Sequence, residues 1–164
     1  PNRFIVAVKQ EHAEQLTSQW LDQGANKANI TTWQLADINA GFGFVAENTI
    51  DEFIPQMLNM QLIDGISFNK GCYTGQEIVA RMQYRGTLKK AMYLVSGQGE
   101  LPANNADIHA GERLVGNMVN SVSSDNGWRG LAVINHDAIA ESLSVAGQTI
   151  VVASEQPYSV AANE

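Results

Sequence analysis

Lys70-Gly71-Cys72-Tyr73-Thr74-Gly75-Gln76-Glu77-Ile78-Val79-Ala80-Arg81 contains the only cysteine of the chain, and the reading of the whole sequence starts there. Two glycines bracket the cysteine, so the backbone can take tight or left-handed turns that other residues resist. Thr74 followed three residues later by Glu77 has the pattern of a capping box, in which hydroxyl and carboxylate each satisfy a backbone N–H. A helix is therefore expected from about Gly75, with Ile78 and Met82 stacked on one face. Cys72 would then precede a helix N-terminus, where peptide dipoles favour an anion. Lys70 adds a positive charge nearby. Both effects favour thiolate over thiol, which makes Cys72 a candidate catalytic group and Lys70 its candidate helper. The plainer reading of a lone cysteine is a small buried hydrophobe.

The same stretch resembles the signature of the YgfZ family, folate-binding proteins related to the T-protein, the aminomethyltransferase of the glycine cleavage system. The likeness continues upstream through Gly41-Phe42, Phe53-Ile54-Pro55-Gln56, Asn59 and Gly65-Ile66-Ser67-Phe68. Downstream it runs through Arg85-Gly86 and, more weakly, Pro157-Tyr158-Ser159. It implies an α+β fold: the C-terminal part of a T-protein-like folate-binding domain over residues 1–86, then a small antiparallel β-barrel over residues 87–164. It also implies a longer protein whose missing part lies before residue 1, and an opening Pro in place of Met suits that expectation.

The function implied by this resemblance is a folate-binding accessory role in iron–sulfur cluster assembly or repair, with an indirect effect on tRNA thiomethylation. The implied cofactor is tetrahydrofolate or a derivative. The implied partners are iron–sulfur proteins or their assembly factors, and the N-terminal half of the same protein. Trp33 looks like a folate-contacting residue of the family, and an indole offers a flat pterin a stacking face. Read without the family, Trp33 is a core or interface aromatic. Tyr73, Gln76, Glu77 and Arg81 are carried over as candidate cofactor-binding positions, with Pro55, Gln56 and Asn59 as weaker candidates on the cleft wall. Two other functions compete: an active aminomethyltransferase and a non-catalytic interaction module. The aminomethyltransferase branch shares the Lys-Gly…Gly…Glu frame without the cysteine, and one-carbon transfer from glycine-derived amines needs no thiol. Cys72 therefore favours the accessory role. One thiol cannot hold a cluster that takes about four protein ligands, so no stable metal site is expected on this chain.

Bulk properties narrow the classes further. Hydrophobic residues make up 45% of 164 residues, ordinary for a soluble globular protein. Ten Lys and Arg stand against 17 Asp and Glu, a net charge of −7. That argues against a strong direct contact with nucleic acid, which needs clustered cations. Arg81, Arg85, Lys89 and Lys90 form a local basic island, either a solvated helix end or a contact for an anionic group such as a glutamate tail. No stretch approaches the ~20 apolar residues of a membrane span. A single cysteine cannot form an internal disulfide, and a cytoplasmic location is expected. His12, His109 and His136 are scattered and read as surface or structural residues.

Along the chain, Arg3–Val8 reads as a strand. Glu11–Asp22 reads as an amphipathic helix with Ala13, Leu16 and Trp20 on one face. Gln23–Asn29 reads as a polar turn around Gly24, and Ile30–Ile38 as a second strand carrying Trp33. Strand, helix, strand suits an α+β layer. Gly41-Phe42-Gly43-Phe44 reads as a flexible aromatic turn. Thr49 with Glu52 is a second capping-box pattern, predicting a short helix from near Ile50 to just before Pro55. Met57 and Met60 read as packing residues. After Gly86, short strands are expected at Ala91–Val95, Arg113–Val122, Trp128–Asn135, Leu143–Ala146 and Thr149–Ala153. Turns at residues 97–99, 125–127 and 146–148 separate them, as in a small barrel or sandwich. The domain boundary is placed near Thr87, and the tail Ala161–Glu164 is expected to fray.

Overall fold

The computed structural model describes residues 3–84 and 86–160. Arg85 of the basic island and the tail Ala161–Glu164 lie outside the described residues.

Six strands make a closed antiparallel barrel: β1 (Lys90–Gly97), β2 (Asp107–Ala110), β3 (Arg113–Ser124), β4 (Gly127–Asn135), β5 (Leu143–Val145) and β6 (Gln148–Val152). Around the barrel the order is β1-β4-β3-β2-β5-β6. Turn chemistry sets the register. Ser124 pairs with Gly127, leaving Asp125-Asn126 as a two-residue hairpin loop. Val145 pairs with Gln148, and Ala146 and Gly147 between them have φ of 48° and 77°. Two consecutive positive φ values are the signature of the hairpin turn whose twist matches the strands.

Alternation along the strands builds two cores. Ala91, Tyr93 and Val95 of β1 join Ile108, Val115, Met118, Trp128, Ile134, Leu143 and Ile150 in a cluster drawing on all six strands, the barrel interior. The opposite parity, Met92, Leu94, Val119, Leu131 and Val133, packs outside the barrel against Ile38 and Leu58. Strands β1, β3 and β4 are thus covered on both faces. Five strands fall where the sequence placed them. Strand β2 was not expected, because Asp107-Ile108-His109-Ala110 is short and offers one large apolar residue.

The first part of the chain departs from expectation. Ile30–Asn39 is a helix, α2, not a strand. Asn29 caps it, its Oδ1 accepting the Thr32 N–H at 3.1 Å. Leu35 and Ile38, three residues apart, then face the barrel's outer surface. Burial and a cap outweigh the β-branched run Ile30-Thr31-Thr32 that had suggested a strand. Arg3–Val8 is not part of a sheet, and Phe4 and Ile5 are 77% and 88% exposed. A strand exists only through backbone bonds to a neighbour, and none is found among the described residues. Helix α1 (Gln10–Asp22) forms as expected, yet no residue on it is buried and Trp20 remains 42% exposed. The polar turn after it holds, with Gly24 at φ 93°.

Two further expectations fail locally. Between Ile50 and Pro55 there is no helix: a 3-10 turn, Glu47–Thr49, ends just before that span. The Thr49 hydroxyl accepts the Ala46 N–H at 2.7 Å and donates to the Ala46 carbonyl at 3.1 Å, closing the turn behind it. Gly41–Phe44 is pinned, not flexible. Gly41 has φ 70°, and a Cβ there would meet the Tyr158 ring at 2.5 Å. Tyr158 donates its hydroxyl proton to the Gly41 carbonyl at 2.9 Å. Met57 and Met60 do pack against the cores.

Candidate functional site

The motif lies on an open loop leading into helix α3 (Gln76–Tyr84). The helix starts one residue after the expected point, and a different pair of residues shapes the entry. The Tyr73 N–H donates to Gln76 Oε1 at 3.2 Å, and the Gln76 N–H to the Tyr73 carbonyl at 3.3 Å. Among the described hydrogen bonds the Thr74–Glu77 capping box is absent. The buried face is also displaced by one position. Val79 is buried and Met82 packs against the barrel interior cluster, whereas Ile78 is 59% exposed.

Cys72 is a free thiol open to solvent. Lys70 Nζ stands 5.2 Å from the centre of the Tyr73 ring, a cation–π distance. Lys70 and Tyr73 flank Cys72 in the sequence and contact one another. Gly71 and Gly75 have nothing within 4 Å of where a Cβ would stand. Glu77 lies in the first turn of α3 and Arg81 in the last, both exposed. Their signs suit the helix dipole. Lys70 meets Tyr73 and Tyr73 meets Gln76 on the loop that carries Cys72, while Glu77 and Arg81 are exposed along the helix.

Two of the weaker candidates are structural. Gln56 Nε2 donates to the Val79 carbonyl at 2.6 Å, a buried bond fixing α3 to the preceding loop. Asn59 Nδ2 donates to the Met92 carbonyl of β1 at 2.7 Å and reaches the Tyr158 hydroxyl at 3.3 Å. Burial raises the pKa of Tyr158, with the Asn59 bond acting in the opposite direction.

Trp33 lies apart from the motif, on α2. One turn of α2 separates it from Asp37, and Arg3 crosses over both. The Arg3 guanidinium carbon is 4.7 Å from the indole centre. Arg3 also donates to the Trp33 carbonyl at 3.4 Å and forms an ion pair with the Asp37 carboxylate. Arg3, Ala28, Asn29, Ile30, Thr32, Trp33 and Ala36 line a hollow of about 440 Å³. No hydrogen bond or ion pair among the described residues joins this hollow to the Cys72 loop. Arg3 and Asp37 escaped the sequence reading, because their relation to Trp33 emerges only when Ile30–Asn39 is a helix.

Among the described residues, no group of three or more His, Cys, Asp and Glu is placed to hold a metal ion. His136 is committed to a 2.6 Å bond between its Nδ1 and the Tyr93 hydroxyl. His12 stands 3.5 Å from the Glu11 carboxylate at the exposed start of α1. No helix among the described residues is long and apolar enough to cross a membrane.

A closed six-stranded barrel preceded by helices and an open cysteine loop defines the class. Residues 89–157 match the family described as the CAF17 C-terminal beta-barrel domain. Over 167 aligned residues the chain is 36% identical to the tRNA-modifying protein YgfZ of Yersinia enterocolitica, covering 96% of this chain and 50% of that protein. It is 38% identical over 147 residues to proteins of the same name from Yersinia pestis and Yersinia pseudotuberculosis, covering 86% of this chain and 44% of theirs. Over nearly its whole length the chain is similar to proteins of the YgfZ family. It spans about half the length of the curated relatives it matches.

Proposed function

We propose that this chain is part of a folate-binding accessory protein for iron–sulfur cluster assembly or repair, which affects tRNA modification through its client enzymes. The relatives' shared name, tRNA-modifying protein, supports the link to tRNA. A net charge of −7 favours an indirect link over a direct grip on the nucleic acid. The observation that carries the reading is the exposure of Cys72 on an open loop, flanked by the Lys70–Tyr73 pair. An accessible sulfur can ligate iron on a client, and a lone thiol does so in passing, since a held cluster takes about four ligands.

The Trp33 hollow suits a resident tetrahydrofolate in size and kind. Its 440 Å³ lies within the ~300–1,000 Å³ of small-molecule sites, and the indole supplies the stacking face. When bound, the folate would supply one-carbon or redox chemistry. Trp33 would orient its ring, and Cys72 would meet the client. The uncovered Phe4–Val8 segment and the exposed face of α1 are surfaces against which the N-terminal half of a relative-length protein would pack.

A strain lacking its own member of the family tests the reading. Expressed there as part of a relative-length protein, Cys72→Ala should fail to restore tRNA thiomethylation while accumulating normally. Full restoration removes the thiol from the function. In the same protein, Trp33→Ala should weaken tetrahydrofolate binding, and unchanged affinity returns Trp33 to a structural role.

A further inference from the structure

We infer that the outer face of α3, with the segments on either side of it, is a docking surface for an acidic protein partner whose contact face sets carboxylates around an apolar centre. The inference rests on the reading of Cys72 as the group that meets a client, and adds the chemistry of that client's contact face.

Charge is spread unevenly along the chain. Residues 70–90 hold five of the ten Lys and Arg and only one of the 17 Asp and Glu. Among the described residues, no ion pair neutralises Lys70, Arg81, Lys89 or Lys90, whereas Arg3, Lys9 and Arg113 each face a carboxylate. Lys70, Arg81 and Lys89 are exposed. Lys89 follows Tyr84, the last residue of α3, by five positions, which keeps the two within about 18 Å. Cys72 stands four residues before the helix, within about 14 Å of its start.

The same helix face exposes apolar groups. Ile78, Arg81 and Tyr84 recur every three residues on the outer side of α3, while Val79 and Met82 pack inward. Ile78 is 59% exposed and Tyr84 71%. Phe68 meets the Tyr84 ring edge-on, with centroids 6.4 Å apart. The helix dipole accounts for a cation in the last turn. It does not account for Ile78 and Tyr84 beside that cation. Tyr and Arg around an aliphatic residue is the composition of interface centres, where a few such side chains carry most of the binding energy. Free positive charge around them steers a negative partner and fixes its register. A polynucleotide fits less well. Its phosphates gain nothing from Ile78, and a long polyanion running past the patch meets the acidic remainder of the chain.

The test is fluorescence anisotropy of the chain with three probes. One is an amphipathic peptide with leucines along one face and glutamates along the other, the second its counterpart with lysine for glutamate, and the third bulk tRNA. The glutamate peptide should bind saturably and weaken several-fold as salt is raised, and the lysine peptide should not bind. Arg81→Glu combined with Lys89→Glu should weaken the glutamate peptide at least tenfold, and Ile78→Ser several-fold, with melting temperatures matching the parent. Lys27→Glu, outside the patch, should leave the affinity unchanged. Absence of saturable binding, an equal loss in Lys27→Glu, or tighter binding of tRNA than of the peptide overturns the inference. Binding by this chain but not by a relative-length protein means that the N-terminal half covers the patch, and overturns it too. Cys72→Ala should bind the peptide as the parent does. Full restoration of thiomethylation by Cys72→Ala therefore removes the client reading and leaves this binding standing, while lost peptide binding removes the docking surface and leaves the thiol's role intact.

Discussion

The barrel and the segment before it are built on opposite terms. Every barrel strand is paired on both sides, and β1, β3 and β4 bury side chains on both faces. In residues 3–84, α1 buries nothing, Phe4–Val8 pairs with nothing described, and the Cys72 loop stands in the open. The contrast places stability in one region and accessible chemistry in the other. Short ties hold the two together: Asn59 to β1, Asn48 to the Asn104 carbonyl, Tyr158 to Gly41, and Asn39 to Arg129 of β4, the last at 2.6 Å.

The sharpest way to break the comparison is to truncate one tryptophan in each region. Trp128 is 1% exposed inside the barrel and Trp20 is 42% exposed on α1. Trp128→Ala should lower unfolding free energy by about 3–5 kcal/mol in urea titration. Trp20→Ala should change it by no more than about 0.5 kcal/mol. Similar losses at both sites would mean that α1 is as integral as the barrel.

Single hydrogen bonds come next. Gln56→Leu removes the donor to the Val79 carbonyl and should cost about 1–3 kcal/mol. The loss should appear as faster amide exchange in α3, with the barrel strands unchanged. Tyr158→Phe removes the bond to the Gly41 carbonyl and the longer contact with the Asn59 amide, and should cost about 1–2 kcal/mol.

Alkaline pH probes the tyrosines. Burial raises the pKa of Tyr93 and Tyr158 above the ordinary 10.0. The folded state therefore holds these protons more tightly than the unfolded chain. The resulting stability is fully present below about pH 10 and is lost as pH rises through the folded pKa values. Melting temperature should be flat in this respect to about pH 10 and fall beyond it. Tyr93→Phe together with Tyr158→Phe should flatten the fall.

The barrel was legible in the sequence because its evidence is local. Alternating apolar residues and turns such as Asp125-Asn126-Gly127 and Ala146-Gly147 fix strands without distant information. Strand β2 was missed because four residues with one large apolar side chain carry no period. The front segment was harder, because its patterns are completed by contacts far along the chain. Ile30–Asn39 has β-branched residues at its start, and only the Asn29 cap and packing of Leu35 and Ile38 on the barrel make it helical. The alternation of Arg3–Val8 was real, but a strand also needs a neighbour. At the motif the helix was foreseen, while its entry hydrogen bonds use Tyr73 and Gln76 in place of Thr74 and Glu77. Exposure of Cys72 could be posed as a question from sequence and was answered by the fold.

The central claim is that Cys72 stands open on a region the barrel supports but does not cover. Native-state alkylation of the thiol by iodoacetamide, compared with the rate in denaturant at the same pH, measures this directly. The account predicts native modification at a rate close to that of the unfolded chain, together with a Cys72→Ala melting temperature matching the parent. Protection of the native thiol by orders of magnitude would contradict it.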